Sequence, residues 1–127
     1  MAILGVGTDL ARIGRFRDFL HQGKTALIDR LFTTEEKAYA LDRKDPAPHL
    51  AARFAAKEAF LKALGLGLRE GMTWHDMRVV RDPLGKPSLV LTGAAAIICR
   101  TRGVGRVHLS YSHDGDYAQA VVILEEQ

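Results

Sequence analysis

A single cysteine, Cys99, among 127 residues rules out an internal disulfide and leaves no cysteine-rich zinc site. It lies in the apolar run AAAIIC, so it reads as a small buried hydrophobe rather than a nucleophile. Long hydrophobic runs are missing too. The opening MAILGVGTDL carries no basic leader and meets Asp9 early, which argues against a signal peptide or a membrane span. Aromatic residues beside a basic stripe, the platforms on which unpaired bases stack, are also lacking. No repeat, low-complexity tract or linker interrupts the chain. What remains, 47% hydrophobic and 26% charged, is ordinary for a globular protein. The expectation is one domain over residues 1–127, large enough to bury a core unaided. A cytoplasmic enzyme or binding module, with no membrane partner, is the class expected.

The formal charge of +3 is modest, but its placement is uneven. Arg12, Arg15 and Arg17 fall within six residues, against the lone acid Asp18. Such a segment is either a solvated helix face or a surface for an anionic partner, whether nucleic acid, acidic protein or anionic membrane.

The residues from Ala2 to Leu10 read as a strand in which Gly5 and Gly7 permit close backbone approach. Asp9 closes it, as a carboxylate held at a strand end or as a helix cap. Ile13, Phe16, Phe19 and Leu20 then recur at helical spacing up to Gly23. Thr33 and Glu36 have capping-box spacing, which predicts a helix to about Asp42. The prolines of Lys44 to Pro48 predict a loop. Further on, Trp74 to Arg81 and Ser88 to Leu91 read as strands joined by the turn DPLGKP, followed by a helix from Gly93 to Arg102. Val107, Leu109 and Tyr111 alternate with His108, Ser110 and Ser112, and Tyr117 to Leu124 forms a buried strand beyond the turn at His113 to Asp116. His113 carries an imidazole able to protonate near a phosphate, although a turn histidine is more often plain surface.

The stretch RFAAKEAFLKALGLG, Arg53 to Gly67, is the anomaly. On a helix of ~100° per residue, Leu50, Phe54, Leu61 and Leu64 form one stripe and six alanines cover the opposite side. This helix is expected to contact protein on two sides, with Arg53, Lys57, Glu58 and Lys62 squeezed between. One explanation is a wet edge at Arg53–Lys57 and an i, i+4 ion pair between Glu58 and Lys62. The other is a binding site. Gly65 ends the helix, and the GLG loop alone falls short of a nucleotide-binding motif.

Three stretches, GVGTDLARI, RFAAKEAFLKALGLG and SYSHDGDYAQAVVI, taken in order and with these gaps, resemble the holo-acyl-carrier-protein synthases, which are small 4′-phosphopantetheinyl transferases. FTTEEKAYA, REGMTW and DPLGKP fit the same pattern, so the resemblance covers nearly the whole chain. It implies an α+β fold, with an antiparallel sheet packed around the long central helix. The implied activity moves the phosphopantetheine arm of coenzyme A onto a serine of an apo acyl carrier protein, releasing adenosine 3′,5′-bisphosphate, with magnesium required. It supports fatty acid or polyketide synthesis.

By the same resemblance Asp9 and Glu58 match the two metal carboxylates, and Lys62 matches a lysine on the phosphates. Arg53 and His113 match positions near the coenzyme A phosphates, with Gly65, Gly67, Lys86 and Pro87 toward the adenine. The general base is Glu58 through a metal-bound water, or an acid of Glu35-Glu36, with Glu58 favoured over the cap residue. Arg12, Arg15 and Arg17 would dock the acidic carrier protein. Arg12 departs from the family pattern, which has an acid there, so no third protein ligand for magnesium is implied. The family's compact members are homotrimers with active sites shared between subunits. The competing reading is a basic, non-catalytic nucleic-acid-binding module, which leaves Asp9 and Glu58 unexplained.

Overall fold

The computed structural model describes residues 1–127. In chain order the elements are strand β1 (Ile3–Arg12), helices α1 (Ile13–His21), α2 (Thr25–Leu31), α3 (Thr34–Leu41) and α4 (Pro46–Leu64), a 3₁₀ turn at Trp74–Asp76, strands β2 (Met77–Arg81) and β3 (Pro87–Leu91), helix α5 (Gly93–Thr101), and strands β4 (Val104–Asp114) and β5 (Tyr117–Glu126). All strand pairs are antiparallel. β1, β5 and β4 form a three-stranded sheet in that order, while β2 and β3 make a separate hairpin.

Helix α4 is the axis of the molecule. Of its 19 residues, only five escape full burial, so it has no solvent face of the usual kind. One side packs on the three-stranded sheet. A Cβ at Gly7 would stand 1.9 Å from the carbonyl oxygen of Ala59, and one at Gly5 would stand 2.0 Å from that of Ala63. Strand backbone therefore lies directly on helix backbone, which requires glycine on the strand and alanine on the helix. Ala11, Ala118, Ala120, Val122 and Leu124 extend this buried layer. The other side meets the small helices and the 3₁₀ turn. Phe54 packs against Phe16, with ring centroids 5.5 Å apart, and against Trp74 at 5.4 Å.

The boundaries depart from expectation in several places. Pro46 and Pro48 are inside the first turn of α4, where a proline's missing N–H would have had no partner anyway. The segment expected to be strand from Trp74 starts as a 3₁₀ turn and becomes strand at Met77, because Asp76 carboxylate oxygens take the backbone N–H and hydroxyl of Thr73. β4 continues through His113 to Asp114, so His113 belongs to the strand rather than to the turn. The capping box between Thr33 and Glu36 is present as expected.

Candidate active site

Residues 57 and 58 of α4 point into different environments. Lys57 is fully buried and its ammonium satisfies all three donors: Glu36 Oε1 at 2.7 Å, the Leu31 carbonyl at 2.8 Å and the Trp74 carbonyl at 3.0 Å. Glu36 is likewise buried. Its Oε1 also accepts from the Thr33 backbone N–H at 2.9 Å, and its Oε2 accepts from the Val79 N–H at 2.9 Å. Both carboxylate oxygens are thus committed to structure. The wet edge considered for Arg53 and Lys57 is overturned, since both are buried.

Glu58 faces a cleft with Asp9, Arg12, Arg15, Phe54 and Tyr117. Contrary to expectation, Asp9 neither closes its strand nor caps a helix, because β1 runs on to Arg12. It lies within β1, paired with Ala120 of β5 and beside α4, and its Oδ1 accepts from Lys62 Nζ at 2.8 Å. Lys62 therefore bonds Asp9, across from the strand, and no ion pair joins it to Glu58. The acid held beside Glu58 leaves an electrostatic mark. Burial and then the Asp9 charge push the Glu58 carboxyl above its ordinary value, against the opposing pull of Lys62 and Arg15. The hydrogen bond to Asp9 and the charges of Asp9 and Glu58 raise Lys62 despite some burial. Asp9 and Glu58 stand as a pair, for no cluster of three or more potential metal-ligating side chains exists in the chain.

The three arginines at the join of β1 and α1 do not act alike. Arg15 turns into the cleft, its guanidinium 5.5 Å from the Phe54 ring centre and 5.6 Å from that of Phe19. Arg12 is 3.8 Å from Asp116, and Arg17 bonds Asp45 at 2.9 Å, both exposed.

The remaining candidates lie apart from this cleft. Arg53 lines a second one with Tyr39, Arg43, Arg81 and the turn from Asp82 to Gly85, next to Lys86 and Pro87. Gly65 caps α4 in the left-handed conformation, φ 75°, just after Lys62, with Gly67 following. His113 is close enough to His49 for its charge to depress that imidazole, although burial and Arg53 depress it more. One chain thus brings together Asp9, Glu58, Lys62 and Arg15, and gathers Arg53 and the β2–β3 turn elsewhere. Two features escaped the sequence reading: the Lys57–Glu36 pair, and the arginines around Tyr39. Only Tyr39 and Arg43, one helical turn apart, left a local trace.

A helix-centred α+β protein with a carboxylate pair at a strand–helix junction and a separate arginine-lined cleft is the class that fold and site define. The family model of the 4′-phosphopantetheinyl transferase superfamily matches residues 5–122, and the chain belongs to that family. A holo-(acyl-carrier-protein) synthase of Syntrophotalea carbinolica is 64% identical over 121 residues, spanning 95% of this chain and 94% of that protein. The crystal structure of holo-(acyl-carrier-protein) synthase from Neisseria meningitidis superposes with a TM-score of 0.89 at 34% identity, covering 98% of this chain and 100% of that one. A Bacillus anthracis holo-(acyl-carrier-protein) synthase, solved in complex with coenzyme A (3′,5′-ADP), matches with a TM-score of 0.81 at 32% identity over 98% of both chains.

Proposed function

We propose that this chain, acting as a single domain, transfers the 4′-phosphopantetheine group of coenzyme A to a serine hydroxyl of an apo acyl carrier protein. Adenosine 3′,5′-bisphosphate leaves, and magnesium is required. The observation that carries the reading is the meeting of Asp9, Glu58 and Lys62 at one strand–helix junction, in a chain whose whole length follows the family.

The residues fit a magnesium ion. Two carboxylates sit close enough for Asp9 to disfavour ionisation of Glu58, and a cation now answers that charge as Lys62. Magnesium favours such oxygen donors while keeping positions for water and phosphate, so a pair suffices. Asp9 and Glu58 would hold it, and when bound it would offset charge on the pyrophosphate.

The chain's own groups account for the rest. Lys62, half-exposed, is free to turn from Asp9 to the phosphates and stabilise the charge that develops on the leaving bisphosphate. Glu58, with its affinity for a proton raised by burial, accepts the proton of the carrier serine as its oxygen bonds phosphorus and the pyrophosphate P–O bond breaks. Glu36 is unsuited to that step because both its oxygens are occupied in the core. Arg53, His113, Lys86 and Pro87 bind the remainder of coenzyme A, with Gly65 and Gly67 beside Lys62. Arg12, Arg15 and Arg17 steer the acidic carrier protein to the cleft.

Asp9 and Glu58 line one cleft of the chain and Arg53 lines another, so the reading includes a homotrimer whose active sites are shared between subunits. In support, the outer face of the three-stranded sheet leaves Leu4, Val6, Leu10 and Tyr117 exposed, an apolar surface that assembly would cover. The route serves fatty acid or polyketide synthesis. The cytoplasm is the compartment implied, since both substrates are soluble there, and no helix is long and apolar enough to cross a membrane.

The test is direct. Incubation with coenzyme A, magnesium and an apo acyl carrier protein should add one phosphopantetheine to the carrier, read by mass spectrometry. An unmodified carrier would overturn the reading.

A further inference from the structure

Four aromatic rings and one arginine meet beside the candidate active site. Phe54 stands one helical turn before Glu58 on α4. The Phe16 ring of α1 lies 5.5 Å from its centre, and the Trp74 ring of the 3₁₀ turn lies 5.4 Å away. Phe16 in turn meets Phe19 edge-on at 5.5 Å. The guanidinium carbon of Arg15 is 5.5 Å from the centre of Phe54, 5.6 Å from that of Phe19 and 6.0 Å from that of Phe16. Arg15 and Phe54 both line the cleft of Asp9 and Glu58.

Arg15 is exposed, and no carboxylate lies within ion-pair distance of it. Arg12 and Arg17, by contrast, are each paired with an acid of this chain. A long side chain loses affinity when binding must first fix its rotamers, and attraction to aromatic faces restricts them beforehand. Phe16 and Phe19 belong to the same helix as Arg15, and Phe54 belongs to α4. Trp74 is the one ring of the group from outside these two helices. Its backbone is anchored independently: the carbonyl accepts from Lys57 Nζ at 3.0 Å and from the Met77 N–H, and Asp76 closes the turn on Thr73. The buried Lys57, which takes no part in the chemistry, thereby gains a link to the cleft. Trp74 fills the space beside Phe54, so its removal would leave Phe54 room to turn away from Arg15.

We infer that Trp74 is a positioning residue: by backing Phe54 it holds Arg15 at the cleft as a pre-formed anchor for a carboxylate of the acidic carrier protein. The inference rests on the carrier-docking reading given above. An exposed guanidinium without an acid of its own has its whole fork of donors free for a partner's carboxylate. Arg12 and Arg17 must first release Asp116 and Asp45. Trp74 itself touches neither carrier nor coenzyme A in this account and acts only through Phe54 and Arg15.

The experiment is a double-mutant cycle in the full-length protein, with Trp74→Leu, Trp74→Phe, Arg15→Gln and each pair combined. KM is measured for apo acyl carrier protein and for coenzyme A, and carrier binding by calorimetry. Trp74→Leu should raise KM for the carrier roughly fivefold, the effect of losing a pre-organised cation contact, with kcat and KM for coenzyme A little changed. Trp74→Phe keeps a ring beside Phe54 and should recover most of the loss. In the Arg15→Gln background either change should add less than about twofold, because residues acting through one contact are not additive. Additive effects would overturn the inference, as would no effect of Trp74→Leu. Equal losses for both substrates, or a matching fall in kcat, would show a merely structural role and also overturn it. Trp74 is the chain's one tryptophan, and its emission should be the same in Arg15→Gln as in wild type, since the ring is anchored without the arginine. A shifted emission would show that the arginine places the ring, which reverses the inference. If wild type modifies no carrier yet binds it with the same coupling between Trp74 and Arg15, the transferase reading falls and the role of Trp74 stands.

Discussion

Lys57 and Glu58 are neighbours on one helix, both charged and both facing an opposite charge, yet they belong to opposite kinds of site. Around Lys57 every donor and acceptor is matched, and the Lys57–Glu36 pair ties α2, α3, α4 and β2 together. Around Glu58 two acids share one lysine at the edge of a cleft, and Glu58 is left without a hydrogen bond of its own. A saturated buried pair fixes structure, since nothing is left over to meet a ligand. An unsaturated, partly open cluster has coordination to offer. Degree of satisfaction, and not the presence of charge, separates the two.

The contrast should be sharpest in activity. Asp9→Asn or Glu58→Gln should cut phosphopantetheine transfer by roughly a thousandfold or more, as loss of a charge-organising group at the reacting phosphates does. Neither should lower the melting temperature. For Glu58→Gln the sign is fixed by the raised carboxyl: the folded chain holds this proton more tightly than the unfolded one. Its ionisation therefore costs stability as pH rises through the folded-state value. Measured without magnesium, the variant should melt at or above wild type at neutral pH, with the difference shrinking toward pH 4. Normal turnover in either variant would refute the site assignment.

Lys57→Met should do the reverse. Stranding the Glu36 carboxylate in the core should cost roughly 3–5 kcal/mol, visible in urea denaturation. Replacing both, as in Lys57→Met with Glu36→Leu, should recover part of that loss. A single variant as stable as wild type would show that the pair is dispensable and dissolve the distinction drawn above.

The smallest effect is expected at the surface. Arg17 pairs only with exposed Asp45, so Arg17→Glu should leave stability within about 1 kcal/mol. KM for the carrier protein should rise severalfold and that for coenzyme A should not, with the gap closing at high salt. A matching rise for both substrates would remove Arg17 from the docking surface.

Much of this molecule is legible along the chain, because the signals involved are local. Gly65 ends α4 in a left-handed conformation, the Thr33–Glu36 box starts α3, and glycine at positions 5 and 7 foretells a backbone laid against α4. The double-sided apolar pattern of α4 correctly announces a helix buried on both sides. The class of enzyme was likewise readable, since its motifs are contiguous runs. Proline misled at 46 and 48, where the chain-level rule ignores that a first helical turn needs no N–H partner.

What the chain could not specify is which charge meets which. Lys62 spaced four residues from Glu58 looked like a helical pair, but Asp9, 53 positions earlier, takes its ammonium instead. Lys57 finds its partner 21 residues away, and Arg81 reaches Tyr39 from 42 away. Hydrogen bonds act over about 3 Å, and only the packing of β1, α3 and β2 around α4 brings such distant groups within that range. Composition and period therefore settle the elements, and tertiary contact decides that two adjacent charges become a core pin and the open half of a candidate active site.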